Sequence, residues 1–181
     1  MSKEWFAPPV YNQPKRAMKP ESDKLRHDEA MALFQEAYQQ QMRGNLEEAI
    51  ELYKRSIEIY PTAEGHTFLG WTYSFQGHWE DAIQECLRAI EVDPTFGNPY
   101  NDIGAYLMEK GRLEDAIPWF ERALRAPRYE SYCFPHFNLG RLYERKRMFL
   151  RALGEYKMAL AENGQHLGAL RSIRRLQGML N

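Results

Sequence analysis

One seven-residue pattern recurs along the chain at a nearly constant spacing, and it restricts the fold more than any other feature. Its three clear copies occupy residues 44–50, 77–83 and 111–117, and each runs from a glycine through an acidic pair to Ala-Ile. The glycines lie 33 and 34 residues apart, and a degenerate fourth copy follows at 147–153. A fixed period of this length is typical of solenoids of stacked helix pairs, whose usual product is an extended binding surface.

Small and large residues occupy fixed positions within each repeat. Position 8 is always small, position 20 is always alanine, and position 24 is mostly large. Large side chains at position 24 would fill the space that small residues leave, so the two helices of a repeat are expected to pack closely. The registers start at Ala30, Ala63, Gly97 and Cys133; position 8 is Ala37, Gly70, Gly104 and Gly140; position 24 is Tyr53, Cys86, Phe120 and Tyr156.

The repeats resemble the tetratricopeptide repeat family over roughly residues 30–164. Repeat two meets the family pattern best, and the glycine between its predicted helices suits a backbone with positive φ. Two departures are Arg147, which replaces the turn glycine of repeat four, and Gln40, which replaces a large residue of repeat one. The residues of repeat two that carry the resemblance are Leu69, Gly70, Tyr73, Ala82, Ala89 and Pro94.

The resemblance implies an all-α fold, a right-handed superhelical solenoid of antiparallel helix pairs with a concave groove. It also implies a division of the chain. Residues 23–165 would form four repeats, at about 30–62, 63–96, 97–132 and 133–165, and residues 166–181 would form a C-terminal capping helix. The inner face of that helix would carry Leu170, Ile173 and Leu176.

Residues 1–22 differ in composition from the repeats and predict an extended, proline-rich N-terminal arm. Proline lacks an amide donor and restricts its neighbour, so no helix is expected before Ser22, which suits an N-cap. The prolines also lower the entropic cost of binding in an extended form. We therefore consider the hypothesis that the arm occupies the groove of its own repeats. Its apolar side chains are Trp5, Phe6, Val10 and Tyr11.

A second stripe of the first helices, at positions 2, 5, 9 and 12, is less polar than a solvent-facing stripe should be. By resemblance, this stripe lines the concave groove and would bind an extended peptide or partner segment with apolar anchors. The alternative is that several of its rings only pack against neighbouring first helices. The predicted partner-binding residues are Phe34, Tyr38, Thr67, Trp71, Phe75, Asn101, Met108, Phe137 and Arg141.

Some members of the family hold the C-terminal carboxylate of a chaperone with lysine, asparagine and arginine side chains. The corresponding positions of this chain lack the cations that a carboxylate requires, which disfavours this mode. Starting from repeat one, they are Phe34, Tyr38, Phe68, Asn98 and Asp102; starting from repeat two, they are Thr67, Trp71, Asp102, Phe134 and Asn138.

No sequence pattern predicts a catalytic, metal or cofactor site. Phosphate-binding glycine loops, HExxH helices and GxSxG turns are absent from the sequence. His66 and His136 both fall at position 4, where a structural role is favoured. The acidic pairs of the repeated pattern lie where a helix begins, and there they interact favourably with the helix dipole. We expect a protein that is not an enzyme and needs no cofactor or metal.

The leading functional hypothesis is a protein-interaction scaffold or adaptor of the cytoplasm. The formal net charge of −1 argues against a generic nucleic-acid binder, and no apolar run reaches the roughly 18 residues of a membrane span. The cysteines, Cys86 and Cys133, fit no disulfide framework. The alternatives are an enzyme subunit, homo-oligomerisation through the groove or arm, and RNA binding through a basic C-terminal face. That face comprises Arg141, Arg145, Lys146, Arg147 and Arg151.

Overall fold

The computed structural model describes residues 20–180, and these residues fold into nine α-helices without a β-strand. Consecutive helices pair, so that α1 packs on α2, α3 on α4, α5 on α6 and α7 on α8, while α9 covers α8. Within residues 20–180, none of the helices combines the length and the hydrophobicity that a membrane span requires. The bounds are α1 Pro20–Arg43, α2 Leu46–Ile59, α3 Ala63–Phe75, α4 Trp79–Val92, α5 Asn98–Glu109, α6 Leu113–Ala123, α7 Cys133–Arg145, α8 Phe149–Glu162 and α9 Leu167–Leu180.

The same tight turn joins the helices of every pair, and one residue in it takes a positive φ. In repeat two this residue is Gly77, with φ of 76°. Its amide donates to Ser74 O at 3.1 Å and the next amide donates to Tyr73 O at 3.1 Å, which are the two hydrogen bonds of a Schellman motif. Arg147 adopts φ of 59° in repeat four, so that turn keeps its shape although glycine is missing.

Close packing within a repeat depends on the small residue at position 8. In repeat four, a methyl group added at Gly140 would lie 2.5 Å from the Tyr156 ring, and in repeat three one at Gly104 would lie 2.6 Å from the Phe120 ring. Both rings are fully buried. The predicted match between small residues at position 8 and large residues at position 24 is confirmed for these two repeats.

The first helix begins earlier than the sequence predicts. α1 starts at Pro20, so the assignment of Ser22 as the N-cap is wrong. Proline is tolerated in a first turn because its fixed φ suits a helix and the amide there has no intrahelical acceptor. Glu21 and Asp23 add negative charge where the helix dipole favours it. Residues 1–19, which carry the predicted apolar side chains of the arm, lie outside the described part of the chain.

The link between α6 and α7 is fastened to repeat two through Arg128. The backbone of Arg128 forms a short parallel bridge with Phe96, in the loop between α4 and α5. Its guanidinium lies over the Phe96 ring, 4.2 Å from the centroid. It also pairs with Asp93 Oδ2 at 2.8 Å and with Glu64 Oε1 at 2.6 Å. One side chain therefore connects the long link to α3 and to the loop after α4.

The last helix covers the end of the array through apolar burial and one ion pair. Leu176 is fully buried, and Leu170 and Ile173 are partly buried. Arg175 Nη2 lies 2.6 Å from Glu144 Oε1, which ties α9 to the end of α7.

Candidate partner-binding groove

Five aromatic side chains of α1 and α3 form a continuous series of ring contacts, which we call the aromatic row. Phe68 is at its centre, with its ring centroid 5.2 Å from that of Phe34 and 5.7 Å from that of Tyr38. On its own helix it meets Trp71 at 5.6 Å, and Trp71 meets Phe75 at 5.2 Å. Tyr38 is 37% exposed and Phe75 is 55% exposed. An apolar surface therefore remains open on the first helices of repeats one and two.

The aromatic row follows a rule of register between neighbouring repeats. Phe34 and Tyr38, at positions 5 and 9 of repeat one, meet Phe68 at position 6 of repeat two. The contact recurs between repeats three and four, where Asn138 Nδ2, at position 6, donates to Asn101 Oδ1, at position 5. The predicted groove residues omit Phe68, although its position 6 lies on the same face. Position 6 is the sequence signal that would have found it.

Repeats three and four continue this face with polar side chains, which we call the polar chain. Arg141 Nη1 donates to Asn138 Oδ1 at 3.4 Å. Asn138 Nδ2 donates to Asn101 Oδ1 at 3.1 Å, and Asn101 Nδ2 donates to Asp102 Oδ1 at 3.2 Å. The three hydrogen bonds of the polar chain run in one direction, from Arg141 to Asp102. The Asp102 carboxylate is therefore the final acceptor.

Asp102 is partly exposed, yet the surrounding protein removes much of the water from its carboxyl group. Desolvation penalises the charged form and raises the pKa of Asp102 to about 7, while the hydrogen bond from Asn101 acts in the opposite direction. Among residues 20–180, no basic side chain forms an ion pair with this carboxylate. Asp102 is therefore an enclosed acid without a counter-charge.

Several cations of the predicted basic C-terminal face are already paired. Glu109 Oε1 lies 3.4 Å from Arg141 Nη2 and 3.3 Å from Arg145 Nη2. Lys146 forms an ion pair with Glu114. These contacts reduce the positive potential that the face would present to a polyanion.

Two predicted groove residues are buried, and for these the prediction is wrong. Met108 is 1% exposed and belongs to the same core cluster as Phe120, because position 12 faces position 24 inside its own repeat. Thr67 is 2% exposed, and its hydroxyl donates to Ala63 O at 2.7 Å. Position 5 is covered by the next first helix, and the threonine side chain is too short to reach beyond it.

Phe137 lies apart from the aromatic row, at the other end of the array. Its ring centroid is 5.5 Å from Tyr156 and 4.6 Å from His166. A methyl group added at Gly168 would lie 2.9 Å from Phe137 Cζ, so the start of α9 packs directly on the ring. The structure thus joins four predicted residues in the aromatic row and two in the polar chain, whereas Phe137 packs against Tyr156 and the start of α9. The six are Phe34, Tyr38, Trp71 and Phe75, with Asn101 and Arg141.

The two histidines at position 4 form matching pairs between the helices of their repeats. His66 Nδ1 lies 2.7 Å from Glu85 Oε2, and His136 Nδ1 lies 2.8 Å from Glu155 Oε2. Cys86, which follows Glu85 on α4, is fully buried, and burial raises the pKa of its thiol well above the ordinary value. A buried thiol of this kind is unreactive, so these groups support the helix pairs.

The repeated helix pairs, the shared turn and the fixed register define the class of the protein: the chain belongs to the tetratricopeptide repeat family. Models of this family match residues 31–63 and 69–131. The helices α7 and α8 follow these matched segments and form a pair with the same turn. The fold is the all-α superhelical solenoid of that family, and its members act as protein-interaction scaffolds that are typically not enzymes.

Relatives in sequence share only part of their length with this chain. The small glutamine-rich tetratricopeptide repeat-containing protein 2 of Mycosarcoma maydis is 29% identical over 77 residues, which cover 42% of this chain and 22% of that protein. An uncharacterized protein of Haemophilus influenzae is 28% identical over 106 residues, which cover 59% of this chain and 56% of that protein. The chain therefore spans less than two thirds of either relative.

Solved structures share the fold at low sequence identity. PilF of Pseudomonas aeruginosa superposes with a TM-score of 0.76 at 24% identity, over 83% of this chain and 68% of that one. YrrB, described as a TPR protein with an unusual peptide-binding site, gives a TM-score of 0.61 at 18% identity, over 83% of this chain and 77% of that one.

Proposed function

We propose that this protein is a non-catalytic scaffold or adaptor that binds an extended, apolar-anchored segment of a partner protein along the aromatic row and the polar chain. The observation that carries the proposal is the open apolar surface of the row, because contiguous exposed apolar surface of this kind marks interaction sites. In this view the four repeats from α1 to α8 supply the groove, residues 166–181 cap it, and residues 1–19, which precede the start of α1, form the arm.

The chemistry of the row suits apolar anchors. Aromatic side chains that become desolvated in an interface contribute on the order of 2 kcal/mol or more each. Tyr38 and Phe75 keep accessible surface at the two ends of the row, and Trp71 lies between Phe68 and Phe75. The description of YrrB indicates that the same fold can carry a peptide-binding site.

We also propose that the N-terminal arm occupies this surface when no partner is bound. The arm leaves the fold at Pro20, the first residue of α1. From Pro20 to Phe34 the helix rises about 20 Å, whereas an extended segment of 19 residues spans up to roughly 60 Å. The arm is therefore long enough to return along α1 and reach the aromatic row.

Peptide binding is tested by selection from a displayed library of short random peptides. The bait is the full chain with Trp5, Phe6, Val10 and Tyr11 replaced by serine, so that the arm cannot compete. We expect peptides rich in aromatic or large aliphatic residues, and their binding should be lost when Trp71→Ala is added.

The matched control is Trp119→Ala, which removes a tryptophan of α6 that lies outside the aromatic row. Its ring centroid is 6.2 Å from that of Tyr100. This variant should keep the selected peptides. Failure to select any peptide with a folded bait, or equal loss with both tryptophan variants, would count against the proposed function. Circular dichroism of each bait separates loss of binding from loss of folding.

Occlusion by the arm is tested with a hydrophobic dye such as anilinonaphthalene sulfonate. The same four serine substitutions should increase dye fluorescence in the full chain, because they release the row from the arm. Adding Trp71→Ala should reverse most of the increase. Unchanged fluorescence on the serine substitutions would show that the arm does not cover the row.

A further inference from the structure

We infer that Asp102 makes the groove selective for a cationic side chain, lysine or arginine, that follows an apolar anchor in the bound peptide. The inference rests on the proposed function, because it assigns a specificity to the same groove.

The register between repeats places Asp102 beside the aromatic row, on the side of Trp71. Positions 5 and 9 of one repeat meet position 6 of the next, as Phe34 and Tyr38 meet Phe68. Between repeats two and three the corresponding residues are Thr67 and Trp71 on one side and Asp102 on the other. An apolar side chain on the row would therefore be followed, along the same groove, by a carboxylate.

The contacts of Asp102 favour a cation as its missing partner. Its Oδ1 accepts from Asn101, whereas its Oδ2 has no hydrogen-bond partner among residues 20–180. The polar chain directs its donors toward Asp102 from the side of repeat four, and among the described residues no cation or hydrogen-bond donor reaches it from the side of repeat two. An added cation stabilises a desolvated carboxylate more strongly than it stabilises one in open water.

The register between repeats places Trp71 on the side of the groove that faces this carboxylate, and its ring suits the stem of a lysine or arginine. Such side chains lay their methylene groups on apolar surface while the charged end reaches a polar group. A cation over the face of Trp71 would also be attracted by the ring, and its hydrogen bond to Asp102 would be charge-assisted. Trp71 therefore offers an apolar surface for the methylene groups of a lysine or arginine, and Asp102 offers an acceptor for its charged end.

A second carboxylate of the same face provides a matched comparison. Glu109, on the helix that carries Asp102, already pairs with Arg141 and Arg145. Its charge is satisfied within the protein, so removing it should not change the preference for cationic peptides. The chain's own arm carries Lys15 and Arg16 a few residues after Val10 and Tyr11, which gives it the same order of apolar and basic side chains.

The test repeats the peptide selection with three baits that all carry the four serine substitutions in the arm. One has no further change, one adds Asp102→Asn and one adds Glu109→Gln. The unchanged bait should select peptides with lysine or arginine beside an aromatic or large aliphatic residue. Asp102→Asn should keep the apolar preference and lose the basic one, while Glu109→Gln should keep both.

A quantitative measurement then uses one selected peptide and its derivative with glutamine in place of the basic residue. Asp102→Asn should weaken binding of the basic peptide about tenfold, as expected for loss of one charge-assisted hydrogen bond. The affinity of the glutamine peptide should stay unchanged. Apolar peptides without basic residues, or a basic preference that survives Asp102→Asn, would overturn the inference but leave the proposed function intact. Failure to select any peptide would count against both.

Discussion

The Tyr156 hydroxyl donates to Glu144 Oε2 at 2.6 Å, which joins position 24 to position 12 inside repeat four. Repeat one has the same contact, since the Tyr53 hydroxyl donates to Gln41 Oε1 at 2.8 Å. In both repeats a buried phenol at position 24 is matched by an acceptor at position 12. Position 12 therefore faces position 24 within a repeat, and in repeats one, three and four its polarity matches that of its partner.

The matching of these positions predicts a compensating pair of substitutions, because repeat three has Phe120 and Met108 at the same places. Tyr53→Phe should lower the free energy of unfolding by about 1–2 kcal/mol, since it leaves the Gln41 oxygen unpaired. Adding Gln41→Met should recover most of this loss. This second substitution removes both polar atoms of the Gln41 carboxamide, whose buried Nε2 has no hydrogen-bond partner among the described residues. Urea unfolding measures the cycle, and a double variant less stable than Tyr53→Phe would refute it.

The ion pair between Arg175 and Glu144 predicts a local effect on the capping helix. Arg175→Gln should lower global stability by no more than about 1 kcal/mol, because the pair is partly exposed. Amide hydrogen exchange at Leu176 should become faster, and the difference should shrink at high salt. Arg174→Gln is the control, since it removes a neighbouring exposed cation of α9. Equal exchange in the two variants would show that the pair does not hold α9.

The turn of repeat four predicts a stabilising substitution. Arg147 has φ of 59°, a conformation that strains a residue with a Cβ atom, and glycine adopts it freely. Arg147→Gly should raise the free energy of unfolding by about 0.5–1 kcal/mol after allowing for the greater flexibility of glycine in the unfolded chain. Gly77→Ala should have the opposite effect without any clash, because no atom lies within 4 Å of an added Cβ. Urea unfolding of both variants tests the pair, and destabilisation by Arg147→Gly would contradict it.

The Asp102 carboxyl predicts a loss of stability as pH rises. Its pKa is raised from 3.8 to about 7 in the folded protein, so the folded state holds a proton that the unfolded state releases. This contribution to stability is complete below pH 4 or so and is lost as pH rises through about 7. Its neighbours Cys86, Tyr106 and Tyr129 are themselves buried and have raised pKa values, so they stay neutral over this range. Asp102→Asn should therefore stabilise the protein more at pH 8 than at pH 4.5, as urea unfolding at both values would show.

Asp93 provides a control of opposite sign. Hydrogen bonds from Thr95 and the nearby Arg128 guanidinium hold the pKa of Asp93 below its ordinary value. Its contribution to stability is present above the unfolded pKa and is lost as pH falls through the folded one. Asp93→Asn should therefore destabilise at neutral pH and have less effect in acid. A similar pH profile for Asp93→Asn and Asp102→Asn would contradict the assigned environments.

The sequence predicts the internal packing of each repeat better than the contacts between repeats. The small residue Gly140 and the large Tyr156 are constrained by one helix pair, so their fixed spacing is enough to predict their contact. Exposure on the groove depends on which neighbour covers each position. Met108 and Thr67 match the pattern of the open face but are buried. Phe68 becomes visible as the centre of the aromatic row only when two repeats are placed side by side.

The start of α1 shows a different limit of sequence analysis. A proline ends a helix in most positions, but Pro20 lies where its missing donor costs little, so composition alone places the boundary too late. Ser22 has the side chain of an N-cap, and the acidic residues around it fit a first turn equally well. Local sequence alone does not distinguish these two placements.

The cross-link made by Arg128 has a mechanical consequence for the solenoid. The bridge, the ring contact and the two ion pairs of Arg128 fasten the link after repeat three to α3 and to the loop before α5, so they resist a change of pitch between repeats two and three. Adjustment of the superhelix to a ligand should therefore be smallest at the joint between repeats two and three.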